Sequence, residues 1–547
     1  MRSLAAALSV LLFPSLLLTQ VSAQKQPPTS VAPINVLTYH NDIMRTGLMP
    51  LETVLTPANV KSNTFGKLYF FSTDGKVDAE PLYASNVQIN GVARNVVYVV
   101  SEHDSIYAFD AESGLKLWQS TALLSGETPS EAVYGCGQIS PEIGITDTPV
   151  IDRNQQPNGA IYFVAMSKDA NSQYHQRLHA LDLTTGAELF NGPVDIQGKY
   201  PGTGDNSQNG FVIFDPKQYA ERVGLLELSG NIYLAFTSHC DQRPYTGWLM
   251  QYSASTLEQV SVLNVTPNGN GGAIWQSGTA LTADTDGYIY FLDANGTFDT
   301  TLDGNGFPIN GDYGNAMVRV SSSGPLKVVD YFNTYNTVTE SENDIDLGSG
   351  GAIVLPDISV SANKKVHLVI GAGKDGNIYV ADRDNMGKWN PNNNNNLYQE
   401  IAGALPDGLW SAPAYFHNTV YFGGLNDFLK AYPLVNGKLA PSPSSQTSTW
   451  YIYPGPTPSI SANLSQSGIL WAVEVKGTMG TAVLHAYNAL DLTQEVYNSN
   501  QQGFRDQFGP STKFNTPMIA DGRVFVATPT GVAVFGLLQP NAMKVRR

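Results

Sequence analysis

Short runs in which every second residue is apolar recur along the chain, broken by Asp, Asn, Ser and Gly. Residues 96–118 show the unit. Val97 and Val99, then Ile106 and Ala108, alternate with their neighbours at the period of a half-buried strand. His103-Asp104-Ser105 interrupts the run. Asp110-Ala111-Glu112-Ser113-Gly114 interrupts it again, with Gly114 free to take positive φ. A third run follows at 115–118. The pattern predicts three strands joined by two tight turns, a meander that needs neighbours of its own kind to bury both faces.

Such neighbours follow. Runs at 161–164 and 178–183, 232–236 and 248–252, 288–291, 377–382, 420–422 and 429–432, 470–475 and 484–487, and 523–528 and 532–535 repeat the grammar. A small-residue strand precedes most copies, marked by Glu80-Pro81, Thr148-Pro149, Ala412-Pro413, Thr457-Pro458 and Thr516-Pro517. Four strands per unit, repeating roughly every 40 to 50 residues, predict an all-β fold. The expected form is a single eight-bladed β-propeller of four-stranded blades over residues 66–537. The run at 67–72 stands alone ahead of the first unit, while the last unit is one strand short. This predicts closure by an N-terminal strand, which removes two exposed edges. Residues 24–65 then read as an N-terminal arm and 538–547 as a C-terminal tail.

Residues 1–23 carry Arg2, a leucine-rich core and Val21-Ser22-Ala23, the pattern of a secretory signal peptide. Its apolar core is too short to span a membrane, and no later stretch is long enough. The expected location is secreted or periplasmic. A net charge of −16 argues against nucleic acid and anionic lipid as partners. The only cysteines, Cys136 and Cys240, are expected to pair in an oxidising compartment. Oligomeric state is not legible.

The forms Ile106-Tyr107-Ala108-Phe109-Asp110 and Leu178-His179-Ala180-Leu181-Asp182-Leu183-Thr184-Thr185-Gly186 resemble the PQQ-type repeat of quinoprotein alcohol dehydrogenases and related eight-bladed propellers. The resemblance covers nearly all the chain after the signal. It implies a quinone (PQQ) and calcium or another hard cation as cofactors, an alcohol or sugar as substrate, and an external electron acceptor. Gly271-Gly272-Ala273-Ile274-Trp275, with Asn295 beyond it, resembles the segment that supplies the tryptophan under the quinone and an asparagine metal ligand. Asp344-Ile345-Asp346 resembles the acidic pair in which the first Asp is catalytic base and metal neighbour; both are expected at the metal. Lys374, in residues 373–383, resembles the cation that touches the quinone carbonyls, and Trp410 resembles part of a later pocket segment.

These residue types suit the chemistry. A quinone needs a flat aromatic floor, its oxygens favour a hard cation with oxygen ligands, and alcohol oxidation needs a carboxylate base. Each also has a structural reading: Trp275 as packing between blades, Asn295 and the aspartates as turn formers, Lys374 as a solvated cation.

The chain departs from the family in three ways. It lacks the adjacent cysteine pair. In place of the glutamate ligand, Asp169 is the nearest acid in the region 168–172. There is no Cys-x-x-Cys-His haem motif. A second reading follows, a non-catalytic propeller that binds a protein or glycan through its loops.

Among other motifs, the Gly371–Gly376 match to G-x-G-x-x-G reads as a hairpin turn, since strands flank it. Asp303-Gly304-Asn305-Gly306 reads as a flexible turn rather than a calcium loop.

Overall fold

The computed structural model describes residues 33–477 and 480–539. The expected signal peptide, the first part of the arm and most of the tail lie outside the described residues. The described residues from Ile34 onward form one compact unit.

Seven sheets each contain an antiparallel meander of four strands in chain order, and an eighth contains three in chain order with a strand from early in the chain as its fourth. The first joins Leu82–Ile89, Val92–Val100, Ser105–Asp110 and Lys116–Thr121. The turn after its third strand shows why the repeat carries Asp and Gly: Asp110 Oδ1 accepts the Ser113 N–H at 2.8 Å, and Gly114 sits at φ +77°. Asp182 and Gly186 do the same in the second sheet, Oδ1 accepting the N–H groups of Thr184 and Thr185 at 2.9 Å. In the eighth sheet Phe65–Ser72 pairs antiparallel with Gly531–Leu537, beside Arg523–Thr528 and Met518–Ala520.

The burial of both faces that the meander requires is present: in Ser105–Asp110 every residue is buried, and so are the last five of Val92–Val100. The cause is stacking on both sides. One apolar cluster lies between the second and third sheets around Tyr162, Ile232 and Trp248, and the next holds Tyr233, Leu249, Ile289 and Phe291. The series continues to a cluster in which Phe71 and Phe525 of the eighth sheet meet Tyr83 and Phe109 of the first, with Phe71 stacked on Phe109 at 4.4 Å. A tyrosine hydroxyl repeatedly crosses to the turn of the next sheet: Tyr98 to Leu183 O at 2.8 Å, Tyr162 to Ala254 O and Tyr421 to Ala489 O at 2.7 Å, and Tyr69 to Ala111 O. Each such buried bond contributes about 1 kcal/mol.

The segment expected to be an arm is built into the fold from residue 34 to about residue 52. Asn35–Val36 pairs with Leu82–Ile89. Carbonyls of Leu37, Ile43, Met44, Thr46 and Gly47 then accept N–H groups of Ile151, Ala283, Val354, Tyr415 and Ile460 in turn. Arg45 reaches Leu225 O at 3.3 Å, and Glu52 Oε2 accepts the Gly522 N–H at 2.9 Å. This short stretch therefore bonds to strands of six of the eight sheets and to residues flanking strands of the other two.

Candidate functional site

A cavity of about 370 Å³ is lined by Trp275, Asp344, Asp346, Lys374 and Trp410, residues that stand 135 positions apart in sequence at the extremes. Asn295 lines an adjoining cavity of about 610 Å³ that shares Asp344 and Asp241 with the first. All six residues proposed from the sequence thus meet at this pair of cavities.

The local backbone explains the meeting. Trp275 leaves a glycine-rich crossing in which Gly272 N–H donates to Asn295 O at 2.7 Å and Ala294 N–H to Ala273 O at 2.9 Å, so the tryptophan and the asparagine share one turn. Asp346 precedes the short 3-10 turn Leu347–Ser349, and its carbonyl accepts the Lys374 N–H at 3.0 Å. Gly373 permits that approach. A Cβ there would lie 2.5 Å from Leu347 Cα and 2.6 Å from Asp346 O.

The side chains form one polar network. Lys374 Nζ donates to Asp344 Oδ1 at 2.7 Å and lies 2.9 Å from Asp346 Oδ1, off the line of a good hydrogen bond. Trp275 Nε1 donates to Asp346 Oδ2, and Asn295 Nδ2 to Asp344 Oδ1, at 2.9 and 2.7 Å. Asp346 is buried and Asp344 is exposed to the cavities. Burial pushes the Asp346 carboxyl above its ordinary range, although Lys374 and Trp275 oppose the shift. Burial also works against the Lys374 charge, but Asp346 and Asp344 outweigh it and hold the ammonium above its usual value.

Four residues lining the first cavity sit in the left-handed region: Cys240 (φ 51°), Asp241 (54°), Asp344 (58°) and Phe514 (59°). For a bulky residue such as Phe514 this conformation is an outlier, and such outliers concentrate at functional sites. Phe514 completes an aromatic series along the wall. Trp275 to Phe514, Phe514 to Tyr453 and Tyr453 to Trp410 are each edge-on with ring centroids 6.3 Å apart.

Sequence reasoning missed several of these residues. Asp169, considered as a stand-in for the missing glutamate, accepts the N–H groups of Asn171 and Gln173 in an exposed turn and does not line the cavity. Asp241 does, and its side chain is held by Ser238 Oγ at 3.1 Å and Tyr245 OH at 2.9 Å. The one available signal was its position next to Cys240. The expected Cys136–Cys240 disulfide is present across a separation of 104 residues, and both cysteines line the cavity.

The donor set suits a hard cation. Asn295 Oδ1 is buried without a hydrogen-bond partner, and Asp344 and Asp241 line the same cavity, oxygen groups of the kind a hard cation takes, although among the described residues no cluster of three His, Cys, Asp or Glu is arranged to hold a metal ion. The first cavity suits a flat ring, with indole and phenyl walls and Lys374 near its polar side.

No family model matches this chain, and no curated protein matches it in sequence. Among solved structures, a quinohemoprotein alcohol dehydrogenase from Comamonas testosteroni superposes with a TM-score of 0.59 at 15% identity, over 92% of this chain and 80% of that one. One from Pseudomonas putida HK5 gives a TM-score of 0.59 at 13% identity over the same shares. A europium-containing methanol dehydrogenase gives 0.57 at 12% identity, over 92% of this chain and 98% of that one. The chain shares their fold. At such identities the likeness carries the fold and nothing of the activity.

Proposed function

We propose that this protein is an exported quinoprotein-type oxidoreductase that oxidises an alcohol or sugar with PQQ and a divalent or lanthanide cation. We also read its eight sheets as the blades of one ring closed by Phe65–Ser72. The ring reading is supported by the series of apolar clusters from sheet to sheet and the contact of the eighth with the first. Export is supported by the disulfide. Among the described residues no helix is long and apolar enough to cross a membrane.

One observation carries the functional reading: Trp275, Asp344, Asp346, Lys374 and Trp410 line one cavity although they come from four separate segments of the chain. Packing alone gives no reason for those five to meet. The quinone, when bound, supplies a two-electron acceptor. Trp275 and the aromatic wall would hold its ring, and Asn295, Asp344 and Asp241 would hold the cation. Asp344 lines both cavities and would take the hydroxyl proton of a substrate entering from the larger one. Lys374 and Asn295 both donate to Oδ1 of that carboxylate, which limits its rotamers and leaves Oδ2 free. Asp346, buried behind them, orients Trp275 and Lys374. The electron acceptor would be external.

The test is Asp344→Asn with PQQ and calcium supplied. The variant should still bind the quinone and lose at least about 100-fold in dye-linked alcohol oxidation, the usual contribution of a general base. Full activity in the variant would reject the assignment. A wild-type protein that takes up no quinone would favour the ligand-binding propeller.

A further inference from the structure

The wall of the first cavity carries a histidine that the reading above leaves idle. His239 lines that cavity and is only 3% exposed. It follows Thr237–Ser238, which pairs with Tyr219–Ala220, and its carbonyl accepts the Gln242 N–H at 3.1 Å. The next residue, Cys240, is tied to Cys136. The backbone is thus held on both sides.

The ring is held as well. Nε2 lies 3.1 Å from Tyr219 O. A carbonyl only accepts, so Nε2 carries the proton. Tyr219 is itself fixed, since its hydroxyl takes the Thr246 N–H and the Trp248 Nε1–H, each at 3.0 Å. Among the described residues the histidine–carboxylate pairs are made by His103, His175, His179, His367 and His485, and not by His239. A buried imidazole without an anion stays neutral, which leaves Nδ1 as a bare lone pair. Nδ1 makes no hydrogen bond among the described residues, yet it is not one of the sealed polar atoms that lack a partner. It is therefore open, and the space it opens on is the cavity.

We infer that His239 Nδ1 selects the ligand of this cavity: a flat aromatic ring with an N–H or O–H donor on its edge, in preference to a ring of the same shape that carries only acceptors. The inference rests on the cavity being a ligand site, as proposed above, and not on the ligand being a quinone. A ring with a donor replaces the water that Nδ1 loses. A ring with an acceptor sets two lone pairs against each other and leaves Nδ1 buried and unpaired, which is how a polar site rejects an analogue. Asp241 and Asp344 also accept, but in the reading above they belong to the cation. His239 is the neutral acceptor of the wall.

The test uses indole and benzofuran, rings of nearly one shape in which N–H is exchanged for O. Binding of each to the full protein is measured by equilibrium dialysis. Wild type should hold indole at least tenfold more tightly than benzofuran. Trp275→Ala should weaken both, which locates them in the cavity. His239→Phe should abolish the preference; Tyr219 O then still accepts from Gln176 Nε2. His239→Asn, whose amide oxygen falls near the place of Nδ1, should keep part of it. Equal affinity of wild type for the two rings would overturn the inference, and needs no variant to observe. So would a preference unchanged in His239→Phe. PQQ uptake is scored separately. An indole preference without quinone uptake would support the role of His239 and sink the quinoprotein reading; quinone uptake without the preference would do the reverse.

Discussion

Two buried arginines divide this molecule into the part that holds itself together and the part that waits for something else. Arg45 is 1% exposed and spends its donors inside the chain: Nε on Leu281 O at 2.8 Å, Nη1 on Thr38 Oγ1 at 2.6 Å and Tyr39 O at 2.9 Å, and Nη2 on Leu225 O at 3.3 Å. Burial still draws its pKa down to about 10. Arg222 is nearly as buried and has no such partners. The same residue type at similar depth thus does two things. Where backbone carbonyls from several sheets converge on it, the guanidinium is a rivet. Beside a cavity, it lies over the Phe514 ring and its Nε has no hydrogen-bond partner.

The comparison breaks first at Arg45. Arg45→Met strips donors from several buried acceptors in the segment that bonds at or beside all eight sheets, and should cost at least about 3 kcal/mol by urea unfolding. Arg222→Gln should change stability by less than about 1 kcal/mol, because its Nε makes no hydrogen bond and the desolvation cost of its charge goes with it. Equal losses at the two sites would erase the distinction.

The cavity wall has a staple of its own. Replacing Cys136 and Cys240 by serine should cost about 2 to 4 kcal/mol, since the bond closes a span of 104 residues. Quinone or probe affinity should fall as well, because the same bond lines the cavity. Affinity that survives while stability drops would make the disulfide a staple alone.

A smaller effect separates the two regions by pH. Glu80 accepts the His40 N–H at 2.8 Å beside Arg45, and burial pushes its carboxyl up to about 8. A carboxyl raised in the fold adds stability below its unfolded value, near 4.5, and loses it as pH rises through about 8. Wild type should therefore weaken between about pH 5 and pH 8, and Glu80→Gln should flatten that slope. Parallel stability curves for the two proteins would show that Glu80 titrates normally.

Much of the fold was legible because each repeat encodes itself locally. The Asp110-to-Gly114 and Asp182-to-Gly186 turns, the alternating strands and the pairing of Phe65–Ser72 with the last strand all follow from short patterns. The segment around Arg45 did not. Its polar residues look like an exposed arm, and only contacts with strands hundreds of residues away make their burial affordable. The candidate site divides along the same line. Trp275, Asn295, Asp344, Asp346, Lys374 and Trp410 sit in recognisable segments. Asp241, Arg222 and Phe514 lie in loops or ordinary strand approaches, and what marks them is a left-handed backbone, a missing partner or a shared wall, none of which a sequence displays.

The most direct measurement is equilibrium uptake of PQQ by the purified protein, with and without calcium or a lanthanide, followed by quinone absorbance and tryptophan quenching. The account predicts one quinone per chain, bound only when the cation is present and lost in a Trp275→Ala variant. No uptake with any divalent or lanthanide ion would contradict it.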